Sequence, residues 1–420
     1  MRVAGKASRM RADDGSAKLV LLTVVALGTT WSLSAGALAI PVCVGQPLLR
    51  CGTSAYNHVD PWATAILVLG IITGYAVFRG VRDAAALVLG YAVLVAVVNR
   101  AFRLPQLFVS DVISSTREAL GVMSTGANPY LHDYLTTAPQ HSPFPYLPGE
   151  LFFYGIPYVL VHSVDDWAKL VGIATVFVLA ALAPIIGTGR AALCVALYGT
   201  FELAVATSVD GTNDIGAAFM LLVAAGLLAW SDAARDRAWQ PRLATALSIA
   251  SAVFLAWAML YKATTWPFFP FFALYLWRRD RRDAIRSIAI VAVLFVAAIV
   301  PFLFPDPAGF FGNVYRGFVF NEYFYGLTIW TGLTNAGVPI DAGARFISVL
   351  FPIAVIGTFL VLVAIPSRTV GGVLARGTAV ITTALLFAHF ATSSYYAYAG
   401  ALFIGAIALA GPRGAPAIGT

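Results

Sequence analysis

Apolar segments recur along the whole chain, at 19–40, 62–79, 84–99, 148–162, 168–187, 191–208, 213–230, 243–261, 264–277, 287–304, 346–365, 377–392 and 395–411. A helix that crosses a bilayer needs about 20 largely apolar residues. Runs near that length, joined by short polar connections, predict an all-α polytopic transmembrane bundle of about 12–13 apolar segments. Two connections are longer, 100–147 and 305–345. The pattern therefore predicts a single integral membrane domain over 1–420, with residues 1–18 as a tail and two large loops.

Charge orients this bundle. Cations gather in the N-terminal tail, at Arg79 and Arg82, at Arg235, Arg237 and Arg242, through Arg278–Arg286, and at Arg368, Arg376 and Arg413. By the positive-inside rule these connections are cytoplasmic, which puts both termini inside and both long loops outside. The proposed inner connections hold 18 cations and 7 acids; the outer ones hold 7 and 7. Parity raises a problem: passing from outside at 147 to inside at 233 takes an odd number of crossings, yet four apolar segments lie between. One of them must be re-entrant, either 148–162 or the pair meeting at Asp210-Gly-Thr-Asn-Asp214.

Composition excludes other classes. Of 420 residues, 60% are hydrophobic and 11% charged, and mean hydropathy is +0.82. A soluble domain carries roughly 45–50% apolar and about 25% charged residues, so too little charge is left for a water-facing surface or a disordered chain. The net charge of +7 marks membrane topology rather than a nucleic-acid partner. Cys43 and Cys51 are close enough in sequence to pair in an oxidising compartment, with two free thiols as the alternative; Cys194 sits in an apolar run. No Cys/His spacing suits a metal. Ala37-Leu38-Ala39 resembles a signal-peptidase site, but the apolar stretch before it is long and reads as an uncleaved span.

The first long loop carries the densest chemistry. Over 109–120, Val109, Val112, Ile113, Thr116 and Leu120 share one helical face, and Asp111, Ser114, Ser115 and Glu118 the other. This is the pattern of a helix lying along a membrane surface, with an ordinary solvated acidic face as the alternative. Gly126-Ala-Asn-Pro-Tyr130 and Pro143-Phe-Pro-Tyr-Leu-Pro148 follow; so many prolines and aromatics predict a stiff extended loop. Asn128, Tyr130, His132 and Tyr146 could there line a sugar pocket or form a structural cover. Lys262 is the only lysine at the outer end of an apolar helix. An ionisable group at that depth is functional by default, with snorkelling to the headgroups as the alternative. Asp210, Asn213 and Asp214 can bind sugar hydroxyls, order Lys262 or hold a divalent cation; capping of the next helix is the plainer reading. Arg316, Glu322 and Tyr323 in the second long loop, among many aromatics, suit a sugar face or a membrane interface. A cluster of His389, Tyr395 and Tyr396 lies at another outer end.

The order of Asp111, Gly126-Ala-Asn-Pro-Tyr130 and Tyr146-Leu-Pro148 opening an apolar helix resembles the first outer loop of GT-C glycosyltransferases. It is most similar to glycosyltransferase family 87, the polyprenol-phosphate-mannose-dependent type. Asp210-Gly-Thr-Asn-Asp214 stands where that family has a polar Gly/Asn motif, Tyr261-Lys262 with Pro267 and Pro270 resembles its lysine-then-proline helix, and the Arg278–Arg286 run resembles its basic turn. The likeness covers roughly 105–305. The chain departs from it in having three apolar segments before the Asp loop and in lacking a Gly-Gln type motif.

The resemblance implies an inverting membrane glycosyltransferase. Asp111 would be the general base that takes a proton from the acceptor hydroxyl. The donor would be a polyprenyl-phosphate sugar, mannose by analogy, and the acceptor a cell-envelope lipid or glycan. Lys262, Arg117 and Arg316 would hold the donor phosphate, whose departure as an anion calls for cations. Arg103 or Arg117 could keep Asp111 ionised. Two readings from other classes stay open: a lipid or small-molecule transporter or flippase, and a non-catalytic GT-C-like subunit of envelope assembly.

Overall fold

The computed structural model describes residues 16–31, 61–102, 111–137, 141, 144–236, 241–312, 325–388 and 390–411. Helices dominate, and the chain divides into two compact units. The first comprises 1–104, 173–205 and 414–420; the second comprises 105–172 and 206–413.

In the first unit, α1 (Ser16–Trp31), α2 (Pro61–Phe78) and α3 (Ala84–Ala101) precede the long loop. Tyr91 of α3 reaches Thr29 of α1 at 2.6 Å, hydroxyl to hydroxyl. The fully buried Arg100 closes α3: its guanidinium lies 4.4 Å from the Tyr198 ring centre and donates to the Tyr198 carbonyl at 3.0 Å.

In the second unit, α4 (Asp111–Ser124) is followed by a 3-10 turn at Pro129–Leu131 and by α5 (Pro148–Val161). Pro148 sits at the start of α5, where its missing N–H costs nothing. The amphipathic reading matches α4 over 111–120, Val109 lying outside the described residues, with one difference: Ser115 lies on the buried side with Val112, Ile113, Thr116, Ala119 and Leu120. Its hydroxyl is satisfied locally, donating to the Val112 carbonyl.

The chain then passes through α6 (Trp167–Ala180), α7 (Ala183–Ile186) and α8 (Thr188–Thr200) into α9 (Glu202–Val209). Residues 173–205 of this stretch belong to the first unit. Its helix α8 packs on α3: a Cβ on Gly199 would sit 2.6 Å from the Ala96 Cβ.

The rest of the second unit is built around α10 (Asp214–Asp236). Along its most apolar stretch α10 is 72% buried. Beside it run α11 (Pro241–Tyr261), α12 (Phe268–Arg279) and α13 (Arg281–Leu303). The same stretch of α13 is 11% buried, leaving Val293, Val296 and Val300 exposed, as a lipid-facing helix would be. Small residues let α10 and α11 approach, and serines bond across them: Ser231 donates to the Ala244 carbonyl and Ser251 to the Ala224 carbonyl, both at 2.7 Å. The two-residue strands β1 (Tyr325–Gly326) and β2 (Phe390–Ala391) pair in parallel. Between and after them lie α14 (Ile329–Asn335), α15 (Ile340–Ala364), α16 (Val370–Phe387) and α17 (Ser393–Leu409).

Six helices among the described residues are long and apolar enough to cross a membrane, seven if the bent α8–α9 pair is one span. Four more apolar stretches, Ser16–Trp31, Thr64–Phe78 within α2, Val349–Ala364 within α15 and Ser393–Leu409, are shorter. Of the expected 12–13 segments, 148–162 and 264–277 fold as the short helices α5 and α12, and 19–40, 62–79, 346–365 and 395–411 overlap the four shorter stretches.

Charge gathers at the far end of α10. Arg279 pairs with Asp232, Arg235 with Asp280 and Asp283, and Arg286 with Asp283. The Asp280 side chain also caps α13, accepting from the Arg282 and Asp283 amides. Asp214 and Asp232 stand 18 residues apart on α10, about 27 Å at 1.5 Å per residue. Since Lys262 meets Asp214 and Arg279 meets Asp232, the 3-10 turn Ala263–Thr265 and α12 together cover that same distance.

Candidate functional site

At the Asp214 end of α10, five pieces of the second unit converge: α4, the start of α5, the 210–214 turn, the end of α11 and the start of α17. Close backbone approach makes this possible. A Cβ on Gly149 would lie 2.6 Å from the carbonyl carbon of Leu260, so α5 presses its first turn onto the last turn of α11. Trp257 seals the contact by donating to the Gly149 carbonyl at 3.1 Å. Gly216 of α10 lies under the Tyr261 hydroxyl. Gly211 has φ +80°, a left-handed conformation that favours glycine, and a Cβ there would stand 2.6 Å from Ile113 of α4.

These contacts enclose a chain of polar side chains. The Lys262 ammonium donates to Asp214 Oδ1 at 2.6 Å and to Asn213 Oδ1 at 2.9 Å. Asn213 Nδ2 donates to Glu150 Oε2 at 2.6 Å. The other Glu150 oxygen accepts from the Thr116 hydroxyl at 3.0 Å. The Tyr395 ring lies 4.5 Å from the ammonium, a cation–π distance. Glu150, Asn213, Asp214 and Lys262 are 0%, 1%, 3% and 7% exposed. An ion removed from water costs several kcal/mol even after relaxation, and the Lys262–Asp214 pair with its surrounding donors and acceptors offsets that cost.

Lys262 therefore does not snorkel; its side chain is turned inward. The backbone at Lys262 is extended (φ −150°, ψ 130°) between α11 and the 3-10 turn, and this break aims the side chain at α10. The side chains of Asn213 and Asp214 likewise turn into the network, so the motif does more than start a helix. Asp210 is half-buried and follows α9, its backbone N–H donating a hydrogen bond to the Ala206 carbonyl at 2.8 Å. Among the described residues no group of three or more His, Cys, Asp or Glu could hold a metal ion.

Asp111 is the first residue of α4, and its backbone carbonyl accepts from the Ser114 hydroxyl at 3.0 Å. Its charge reaches the Tyr146 and Tyr395 phenols, as do the charges of the network. Burial, and then the negative charges of Glu150 and Asp111, push the Tyr146 phenol well above its ordinary range. Tyr146 thus stays protonated near neutrality and offers a hydrogen-bond donor rather than a base.

Other expected site residues are engaged within the loop. Asn128 accepts from the Tyr130 amide at 3.0 Å and donates to the Phe302 carbonyl at 3.1 Å. Buried Tyr130 donates to the Tyr146 carbonyl at 2.7 Å and packs edge-on against Phe144, Phe302 and Phe310. His132 meets Glu118 at 3.1 Å. Arg117 pairs with Asp165, both exposed. Arg103, Arg316, Glu322, Tyr323, His389, Cys43 and Cys51 lie outside the described residues.

Of the residues the sequence brings forward, Asn213, Asp214 and Lys262 meet here, with Asp111 and Tyr146 in electrostatic reach of one another; Glu150, Thr116 and the Tyr395 ring it passes over as parts of one network. A signal for Glu150 existed: it is the only acid in the 148–162 segment. An acid in a helix's first turn is, however, the common response to the helix dipole. No family model matches the chain, and comparison with curated proteins gives no match.

Proposed function

We propose that the protein is a membrane glycosyltransferase that moves a sugar, mannose by analogy, from a polyprenyl-phosphate donor to a lipid or glycan acceptor of the cell envelope. In this reading Asp111 removes the acceptor proton as the oxygen attacks the anomeric carbon. The bond from that carbon to the donor phosphate oxygen breaks, and polyprenyl phosphate leaves as an anion beside Lys262. The anomeric configuration inverts.

The observation that carries the proposal is the convergence of the Asp111-bearing helix with the buried Lys262–Asp214–Asn213–Glu150 network. It brings the Asp111 carboxylate within electrostatic reach of Tyr395, whose phenol also senses Lys262. A base and a cation on one site are what transfer from a lipid phosphate needs. Lys262 spends two of its three N–H donors on Asn213 and Asp214, so it would meet a phosphate already oriented. The exposed apolar side chains Val159, Leu160 and Val161 of α5, and those of α13, suit a prenyl chain in lipid.

The geometry also supports an outward-facing site. Fourteen residues make α5 roughly 21 Å long, short of the ~30 Å hydrocarbon core. It packs alongside α4, with Leu120 near Gly155 and Gly121 near the Tyr158 hydroxyl. If α5 does not cross, three crossings remain between 147 and 233, and the parity problem disappears. One observation favours a transporter instead: the 60° bend between α8 and α9, since broken helices serve alternating access.

The test is transfer by the full-length protein in vesicles supplied with radiolabelled polyprenyl-phosphate mannose and a crude envelope-lipid extract. The reading expects labelled lipid or glycan product that vesicles without the protein do not form. Label that instead crosses the bilayer still attached to polyprenyl phosphate would favour the transporter.

A further inference from the structure

Glu150 is fully buried, and its two carboxylate oxygens serve two different parts of the site. One accepts from Thr116 of α4, the helix that Asp111 begins; the other accepts from Asn213. Both Glu150 oxygens accept here and an ammonium only donates, whereas an amide does both. Asn213 stands between the two, with Glu150 on its Nδ2 side and Lys262 on its Oδ1 side. Were the amide reversed, its NH2 would face the ammonium and its oxygen would face the carboxylate, an unfavourable pairing on both sides. Glu150 therefore fixes which way round Asn213 sits, and so presents an acceptor to Lys262.

From this we infer that Glu150 is a positioning residue: through Asn213 it sets the place of the Lys262 ammonium, and through Thr116 it ties that cation to the Asp111-bearing helix. The consequence for donor use rests on the glycosyltransferase reading. Glu150 does not touch the reacting atoms in this role. Its place in α5 is held by the Gly149 contact with Leu260, which admits no side chain at 149 without displacement. Positioning thus runs from a helix–helix contact, through a carboxylate and an amide, to the cation.

Two substitutions separate acceptor geometry from charge. Glu150→Gln keeps a carbonyl for Asn213, and its NH2 can donate to the Thr116 hydroxyl, which also accepts. Glu150→Leu keeps bulk but removes both acceptors. With polyprenyl-phosphate mannose as the probe, Glu150→Leu should raise the donor KM about tenfold, the size of one lost hydrogen bond to a charged group. Its kcat should change less, and Glu150→Gln should stay near wild type. A Gln variant as impaired as Leu, or a Leu variant with wild-type KM, overturns the inference.

A second measurement needs no substrate. In a thermal-unfolding cycle of Glu150→Leu, Lys262→Met and the double variant in full-length protein, the double variant should lose less than the sum of the two single losses. Strict additivity overturns the positioning link even if sugar transfer is found. Coupling without any transfer by wild type would keep the structural link but refute both the enzymatic reading and the role in donor use.

Discussion

Lys262 and Asp214 form a pair whose removal by halves should be costly. Truncating one partner of a buried ion pair leaves an uncompensated charge, worth about 3–5 kcal/mol. Lys262→Ala should therefore lower the unfolding midpoint sharply, and Lys262→Ala with Asp214→Leu should recover part of the loss; calorimetry or intrinsic-fluorescence melting reads both. The glycines permit a sharper check. Gly149→Ala drives a methyl into the Leu260 backbone, an overpacking that costs roughly 1–3 kcal/mol. Gly126→Ala, where a Cβ meets nothing within 4 Å but φ is +82°, should show backbone strain alone. Comparing the two melting shifts separates close approach from conformation. At this scale Lys262, Asp214 and Asn213 were legible because polar groups are conspicuous in apolar sequence. Glu150 was not, because its partners Thr116 and Asn213 lie 34 and 63 positions away.

Among the elements, α4 shows how far periodicity reaches. Its apolar face was readable over 111–120, whereas the burial of Ser115 was not, since a helix touched by both α5 and the 210–214 turn buries a wider face than one seam requires. On its outer side Glu118 accepts from Thr136 and meets His132, which fastens the 131–136 stretch to α4. Burial acts to raise the Glu118 pKa, but the hydrogen bonds from Thr136 and His132 outweigh it and leave the pKa below its ordinary value. A depressed carboxylate adds stability that is full above its unfolded pKa and lost as pH falls through the folded one. Hydrogen exchange over 131–136 should therefore stay slow at neutral pH, quicken only below the usual glutamate range, and become insensitive to that pH step in Glu118→Gln. The shortness of α5 was likewise visible as a length, whereas its packing beside α4 was not.

For the whole molecule, the fold class could be read from hydropathy alone, since 60% hydrophobic residues admit few alternatives to stacked apolar helices. The number of full-length spans could not, because apolar segments such as 148–162 and 264–277 fold as helices too short to cross the hydrocarbon core. Orientation is open to a direct check. Thr125 and Arg282 are exposed and belong to opposite charge environments. In a cysteine-free background, Thr125→Cys should react with an impermeant maleimide from outside intact cells, and Arg282→Cys only after permeabilisation. The reverse pattern would put Asp111 on the wrong face for a lipid-phosphate donor presented outside.

The central claim is that Asp111 takes the acceptor proton. Initial rates of mannose transfer from polyprenyl-phosphate mannose, compared between wild type and Asp111→Asn at saturating donor, test it most directly. Loss of a general base costs about 10²–10⁴-fold, so the rate should fall at least a hundredfold, with melting temperature and polyprenyl-phosphate binding retained. Transfer by Asp111→Asn at the wild-type rate would contradict the account.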